Sequence, residues 1–318
     1  MSVNKSEGIS IVIPSFMGRT LLEKLLPQLK DACNKYPAPS EIIVVDNCSN
    51  DGTAELLADK FKGVRAVILP RNYGYGYACN TGVKAAVYPV IICITTDVEV
   101  DADFLKFVPE HFENNSVFAV KMKITGSGNE DPGDNCEWWG HLSFKYGWFS
   151  MPFRSLPKGD SRLKLAASVA GAAAAFDRDK FLSIGGFDDL FLPFYGEETD
   201  LCYRALKRGW SIEFEPRSIV RHIGQATISV HYSRRMVETT GERNMYFLIW
   251  KNIHSRDYML LHLLFIPVRI VRGILFANPV PLSGFIKAMP FLPEVLRKRQ
   301  EEKKHAVRKD GEIFEFFG

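Results

Sequence analysis

The sequence predicts an α/β protein built on a Rossmann-like, mostly parallel sheet flanked by helices, with a helical extension at its C-terminal end. Three observations carry that expectation. Over residues 1–125, short apolar runs alternate with helix-patterned stretches. The runs are nearly continuous in β-branched and apolar residues, as strands buried on both faces are. From about Ser229 the pattern turns helical and stays so to near Lys309, with prolines interrupting it. Strand–helix alternation of this kind argues for a doubly wound sheet, in which ligands bind beyond the carboxyl ends of the strands.

Taken in order, Ile9–Pro14 (ISIVIP) reads as the first strand and Arg19–Lys35 as the helix after it. Ile42–Asp46, Val64–Leu69 and Val90–Thr95 read as further strands, with helices at Thr53–Lys62 and Gly76–Val87 between them. Residues 126–161 shift to Gly, Pro, Asn, Trp and Phe, the composition of loops and an irregular β excursion. Helical and strand character returns from Leu165 to His222. The boundaries that follow are a domain over 1–250, divided near 125, and a helical extension over 251–318.

The 318 residues, 46% hydrophobic and 24% charged, suffice for one large domain or two smaller ones. A net charge of +3 is too mild to imply a nucleic-acid partner. Cys33, Cys48, Cys79, Cys93, Cys136 and Cys202 lie far apart without a CxxC pair, so reduced thiols in a cytoplasmic protein are the simplest reading. MSVNKSEG runs directly into the first strand, and no secretory signal peptide is expected.

The densest chemistry is Glu197-Glu198-Thr199-Asp200, three carboxylates at the mouth of a helix after an apolar, aromatic segment. Like charges this close repel, which raises at least one pKa and suits a carboxylate to take a proton from an attacking hydroxyl. The competing reading is an acidic first turn complementing the helix dipole. Asp46 ends a buried strand and needs a partner, which a base or ribose edge would supply. Asp51 either lines a ligand pocket or caps the next helix. The glycines of Arg71–Gly82 permit close backbone approach to a phosphate, but they are not a dinucleotide fingerprint. Asp97 and Glu99, two apart in an extended segment, could face one site and hold Mg²⁺ or Mn²⁺; a solvated acidic loop is the alternative. His222 is a structural histidine unless the fold brings it to that edge.

In sequence order, IVIPSF, VVDNCSNDGT, RNYGYGYACNTG, TTDVEV, GGFDDLF, GEETDLCYR and His222 resemble the family 2 glycosyltransferases, particularly rhamnosyltransferase-like members. The resemblance covers roughly Ile9 to Trp250. It implies a GT-A fold, with residues 1–125 as the nucleotide-sugar-binding half and 126–250 as the acceptor-binding half. It further implies inverting transfer of a sugar from a nucleotide diphosphate, with dTDP-rhamnose as lead donor and UDP-sugars next, to a glycan or lipid-linked acceptor of a bacterial surface glycan. By position, Pro14, Ser15, Asp46, Asn47, Ser49, Asp51, Asn72, Gly74, Asn80, Thr96, Asp97 and Gly171 would line the donor. Asp97 and Glu99 take the places of the metal-binding DxD motif, with His222 as a further ligand. Glu198 takes the place of the catalytic base, Glu197 is the fallback, and Asp200 orients the helix or the acceptor. Gly171–Ala175 resembles the small-residue floor under the donor sugar, although an Ala run also packs cores. Trp138, Trp139 and Trp148 suit core packing or sugar stacking. Processive polysaccharide synthases share the early motifs but carry Gln-x-x-Arg-Trp and several spanning helices, which this sequence lacks. A binding scaffold without chemistry would lack the carboxylates that stand at 97, 99 and 198.

Tyr258–Val268 is an apolar run of eleven residues that Arg269 and Arg272 interrupt, too short to span a bilayer. Apolar helices followed by Arg297-Lys298-Arg299 and Lys303-Lys304 suit a segment lying in a membrane interface. A helical lid or a homodimer contact is the other reading. The expected location is the cytoplasm, at the inner face of the membrane.

Overall fold

The computed structural model describes residues 8–126, 141–151, 165–223 and 232–318. Cys136, Trp138 and Trp139 lie outside the described residues. Four strands, β1 (Ile9–Ser15), β2 (Ser40–Asp46), β3 (Arg65–Ile68) and β4 (Val90–Ile94), form a parallel half-sheet ordered β3-β2-β1-β4. Beyond β4 the sheet continues through β9 (Ala173–Asp177), β6 (Val117–Gly126), β10 (Ser211–His222) and β5 (Val98–Val100). Here β9 runs antiparallel to β4 and β6, β10 is parallel to β6, and β5 is antiparallel to β10. A separate hairpin pairs β7 (Ser143–Lys145) with β8 (Trp148–Ser150).

Each face of the sheet carries its own apolar core. On one, α1 (Arg19–Lys35) lays down Leu22, Leu25, Leu26, Leu29 and Ala32 at helical spacing, joined by Leu56 and Leu57 of α2 (Thr53–Lys60). Pro27 sits on the exposed side of α1, and the helix continues through it. On the other face lie α3 (Tyr75–Ala85), α4 (Arg178–Ser183), α5 (Glu197–Lys207), α6 (Arg234–Asn252) and α10 (Asp310–Phe317). A Cβ at Gly82 of α3 would fall 2.2 Å from a Val12 methyl, so the missing side chain lets α3 rest directly on β1. The C-terminal region adds α7 (Arg256–Leu275), α8 (Val280–Ala288) and α9 (Leu292–His305).

Two expectations need correction. Val64–Leu69 does not form a strand buried on both faces: β3 is the sheet edge, with Arg65, Ala66 and Ile68 exposed, because among the described residues only β2 pairs with it. The apolar run near residue 258 does not stop at Arg269. It continues as one 20-residue helix, α7, in which Pro267 stands on the exposed side and Arg269 turns back to the domain. That helix is long and apolar enough to cross a membrane by length and composition, with mean hydropathy 1.7 over its most apolar window.

Candidate active site

Parallel pairing of β1 with β2 sets Ser15 beside Asp46 at the carboxyl edge, and the chain leaving β4 brings Thr96 and Asp97 to the same edge. A Cβ at Gly18 would lie 2.6 Å from Ser15 Oγ and 3.4 Å from Thr96, so these ends meet. Ser15 Oγ is buried and without a hydrogen-bond partner among the described residues. A donor or acceptor from a ligand would relieve that cost.

Asp46 is buried, and its Oδ1 accepts from the backbone of Ser49 at 3.1 Å. Asn47 brackets two loops: its amide donates to Gly74 O at 3.1 Å, its Oδ1 accepts from Tyr73 N at 2.9 Å, and its own N–H donates to Ser15 O. Ser49 Oγ accepts from Met17 N at 2.8 Å, which ties the loops after β1 and β2 together. Asp51 accepts from Arg19 N, Thr53 N and Thr53 Oγ1, at the starts of α1 and α2. Burial opposes its charge, but those hydrogen bonds outweigh it and hold its carboxyl below the usual range. Asn72 Oδ1 closes the turn onto Gly74 N. Asn80 spends both amide atoms on Phe187, donating to its O at 2.7 Å and accepting from its N at 2.9 Å, and so fastens α3 to the Gly185-Gly186-Phe187 turn.

The antiparallel pairing of β5 with β10 aligns His222 with Val98 and places it beside Asp97, Nε2 to Oδ2 at 3.2 Å. Burial works against the charge of Asp97, but His222 and Thr95 outweigh it and lower its pKa. Glu99 is exposed and in register with Arg221. The fold therefore makes Asp97 and His222 a pair, a carboxylate oxygen and an imidazole nitrogen in contact. With Nε2 unprotonated, that donor set fits Mg²⁺ or Mn²⁺ together with phosphate oxygens. A second His–Glu group, His111 between Glu213 Oε2 (2.6 Å) and Glu215 Oε2 (2.8 Å), with Glu110 close by, lies near the start of β10. Burial disfavours its charge, yet the two carboxylates raise its pKa to about 9. An imidazolium with both N–H groups donating is a structural clamp and has no lone pair to offer a metal.

Small residues join the Asp97 edge to the acidic helix. Thr95 N donates to Ala172 O at 3.0 Å, while Ala173–Ala175 begin the buried strand β9. Gly171 touches Glu198: a Cβ there would lie 2.3 Å from Glu198 Oε1. Tyr75 Oη donates to Gly171 O at 2.9 Å. Gly171→Ala is therefore expected to displace the Glu198 carboxylate and lower turnover by about tenfold or more, with a destabilisation of roughly 1–3 kcal/mol. Steady-state kinetics and thermal unfolding of the one variant would read both effects.

The three carboxylates at the start of α5 have three environments. Glu197 is buried, Oε2 lacks a partner among the described residues, and burial followed by the neighbouring Glu198 charge pushes its pKa well up. Burial raises Glu198 only to about 6. Asp200, fully buried, accepts from Arg204 Nε (2.7 Å), Lys251 Nζ (2.8 Å) and Asn252 Nδ2 (2.8 Å). Lys251 also reaches Asp188 at 2.6 Å, which Lys298 meets at 2.7 Å. Sequence reasoning missed these partners, along with Asn244, whose amide holds the carbonyls of Phe191, Phe194 and Tyr195 just before α5. Arg204 stands one turn along α5, but Lys251, Asn252, Lys298 and Asn244 come from helices far along the chain, and no local motif marks them.

A family model described as Glycosyl transferase family 2 matches residues 10–181. The chain belongs to that family. The match takes in Asp46, Asp97 and Gly171, and it ends before Glu198 and His222. The chain is 38% identical over 101 residues to undecaprenyl-phosphate 4-deoxy-4-formamido-L-arabinose transferase of Pectobacterium atrosepticum, covering 30% of this chain and 31% of the relative. It is 22% identical over 263 residues to poly-beta-1,6-N-acetyl-D-glucosamine synthase of Staphylococcus epidermidis, 81% of this chain and 60% of that one. It thus spans less than two thirds of either relative. Among solved structures, GalNAc-T7 with UDP, GalNAc and Mn²⁺ superposes with a TM-score of 0.68 at 18% identity, over 97% of this chain and 56% of that one. S. aureus TarS 1–349 in complex with UDP gives 0.56 at 14% identity, over 94% and 88%. These likenesses establish the GT-A type fold.

Proposed function

We propose that this protein is an inverting, metal-assisted glycosyltransferase that moves a sugar from a nucleotide diphosphate to a hydroxyl of a glycan or lipid-linked acceptor in cell-envelope synthesis. The observation that carries the reading is a run of contacts: Asp97 beside His222, Thr95 bonded to Ala172, and Gly171 against Glu198. Of the acidic trio, Glu198 has no salt bridge among the described residues and is ionised at neutral pH, whereas burial and the Glu198 charge push the Glu197 pKa well up and Asp200 is committed to Arg204 and Lys251. Its carboxylate takes the acceptor's proton as that oxygen bonds the anomeric carbon. The bond to the diphosphate breaks on the opposite face, and the electron pair leaves with the diphosphate. Asp97 and His222 would hold Mg²⁺ or Mn²⁺, which supplies positive charge to the leaving group. Asp46 receives the base or ribose, the buried Ser15 hydroxyl faces the same edge, and Asn47 with Gly74 shapes the nucleotide loop. Asp51 and Asn80 brace the loops around that pocket.

UDP is the nucleotide of the two structures superposed above, so a UDP-sugar replaces dTDP-rhamnose as lead donor. The length of the match to the poly-GlcNAc synthase favours, as a second reading, repeated addition to one growing chain. Product length separates the two: one added sugar per acceptor, or a polymer. In either case the C-terminal helices are assigned to the cytoplasmic membrane surface, as a peripheral contact.

The test is a nucleotide-release screen across UDP-, dTDP- and GDP-sugars with a lipid-phosphate or glycan acceptor present. Release from one donor should require Mn²⁺ or Mg²⁺, stop with EDTA, and fall by about 10²-fold or more in Asp97→Ala, as expected when leaving-group stabilisation is lost. Undiminished release in EDTA would remove the metal from the mechanism.

A further inference from the structure

We propose that α7 and the β7–β8 hairpin form a seat for the phosphate headgroup of a membrane lipid, beside a helix face that lies among the acyl chains. This proposal rests on the peripheral-membrane part of the reading above and names what that surface recognises.

The outer face of α7 is an unbroken apolar stripe. Leu260, Leu263, Leu264, Val268, Val271, Ile274 and Leu275 recur every three or four residues, and each is more than half exposed. An apolar patch of that extent facing water marks a surface meant to be covered. The opposite face is fastened to the domain along its length. His262 is buried, with Nδ1 2.7 Å from Gly147 O and Nε2 accepting from Trp250 Nε1 at 2.9 Å. Arg269 is paired with both carboxylate oxygens of Glu242 and stacks 3.8 Å from the Trp148 ring centroid. A helix so held presents its stripe sideways, as an in-plane helix does, and does not stand upright through a bilayer.

Beside the stripe lies a cavity of about 480 Å³ between α7 and the hairpin, whose lining includes Lys145, Tyr146, Trp148, Phe265, Val268 and Arg272. Val268 belongs to both the stripe and the cavity wall, so the apolar and polar surfaces are continuous. The lining has no carboxylate. Glu242 neutralises Arg269, whereas Lys145 and Arg272 have no acidic partner among the described residues. Two uncompensated cations at the edge of an apolar stripe match an anionic headgroup whose chains continue onto the stripe. The basic run over 297–309 contributes less than its composition suggests, because Lys298 binds Asp188 and Arg299 donates to Trp250 O. None of the cavity residues belongs to the Asp46, Asp97 and Glu198 site, so this is a docking subsite rather than part of the reaction centre.

The experiment is co-sedimentation of the full chain with vesicles of phosphatidylcholine, with and without phosphatidic acid. Wild type should bind the phosphatidic acid vesicles about tenfold more tightly than the neutral ones, at roughly a few-fold per cation. Lys145→Gln/Arg272→Gln should lose that preference while keeping its weak binding to neutral vesicles and its nucleotide release. Leu264→Glu/Val271→Glu should bind neither vesicle. A Lys145→Gln/Arg272→Gln variant with wild-type preference overturns the headgroup seat. Wild type that ignores both vesicles overturns the membrane surface itself, and continued nucleotide release in that case leaves the transferase reading intact. If instead wild type is a dimer that Leu264→Glu/Val271→Glu converts to a monomer, the stripe is a self-contact and the proposal fails.

Discussion

Glu198→Gln is expected to lower kcat by about 10²–10⁴-fold, the span that removal of a positioned general base produces. Donor affinity should stay close to wild type, because Gln keeps the shape that packs against Gly171 and the change lies away from the Asp46 edge. Glu197 is the poorer base: its carboxyl is buried, and burial together with the neighbouring Glu198 charge favours its protonated form. The pH dependence follows from the same geometry. Burial raises the Glu198 pKa to about 6, so the ionised, active form is lost as pH falls through that value. The kcat/KM profile of wild type should rise to a plateau above about pH 6, and Glu198→Gln should lack that limb. Stability moves the opposite way. A carboxyl whose folded pKa lies above its unfolded one favours the native state most when protonated, and that contribution fades as pH rises through the folded pKa. Glu198→Gln should therefore unfold no earlier than wild type at neutral pH. Turnover like wild type, with the acid limb intact, would remove Glu198 from the role of base.

How much of this was legible in the sequence depends on the distance over which each feature is encoded. The parallel half-sheet was, because each β-branched run and each amphipathic helix is a local pattern, and α1 has the expected bounds, Arg19–Lys35. β9 was hidden in an Ala run, which carries no β-branched signal. Its strand character comes from being clamped between β4 and β6. β5, three residues long, exists through its pairing with β10, the same pairing that brings His222 to Asp97. The sequence singles out Asp97, Glu198 and His222, but the roles proposed for them rest on tertiary contacts. Glu197 and Glu198 are neighbours in a motif, and only the partnerless burial of one and the Gly171 contact of the other separate them. Asn80 and Asp51 look like ligand residues in sequence because Asn and Asp in glycine-rich loops serve either purpose. In the fold, their polar atoms are used on Phe187 and on the helix starts.

Asp200→Ala is expected to destabilise the protein by about 3–5 kcal/mol, the cost of breaking a buried ion pair from one side. Asp200 is fully buried and accepts from three side chains, and two of them, Arg204 and Lys251, are cations with only 3% and 2% of their surface exposed. Removing the carboxylate leaves Arg204 its two carbonyl partners, Ile184 O and Gly186 O, and leaves Lys251 with Asp188 as its one acidic partner among the described residues. In thermal unfolding the loss should lower the midpoint by roughly ten degrees, at about 2–4 °C for each kcal/mol in a large domain. Because Lys251 bridges Asp200 and Asp188, adding Lys251→Met to Asp200→Ala should cost less than the two single changes summed, a coupling that a double-mutant cycle measures directly. The same bridge links α5 to the Gly185–Phe191 segment and, through Asp188 and Lys298, to α9. The C-terminal helices thereby hold the start of α5, where Glu198 stands, in place. Turnover per folded molecule should consequently fall less in Asp200→Ala than in Glu198→Gln. If Asp200→Ala instead melts like wild type and loses activity as fully as Glu198→Gln, Asp200 takes part in the chemistry and the frame assigned to it here is wrong.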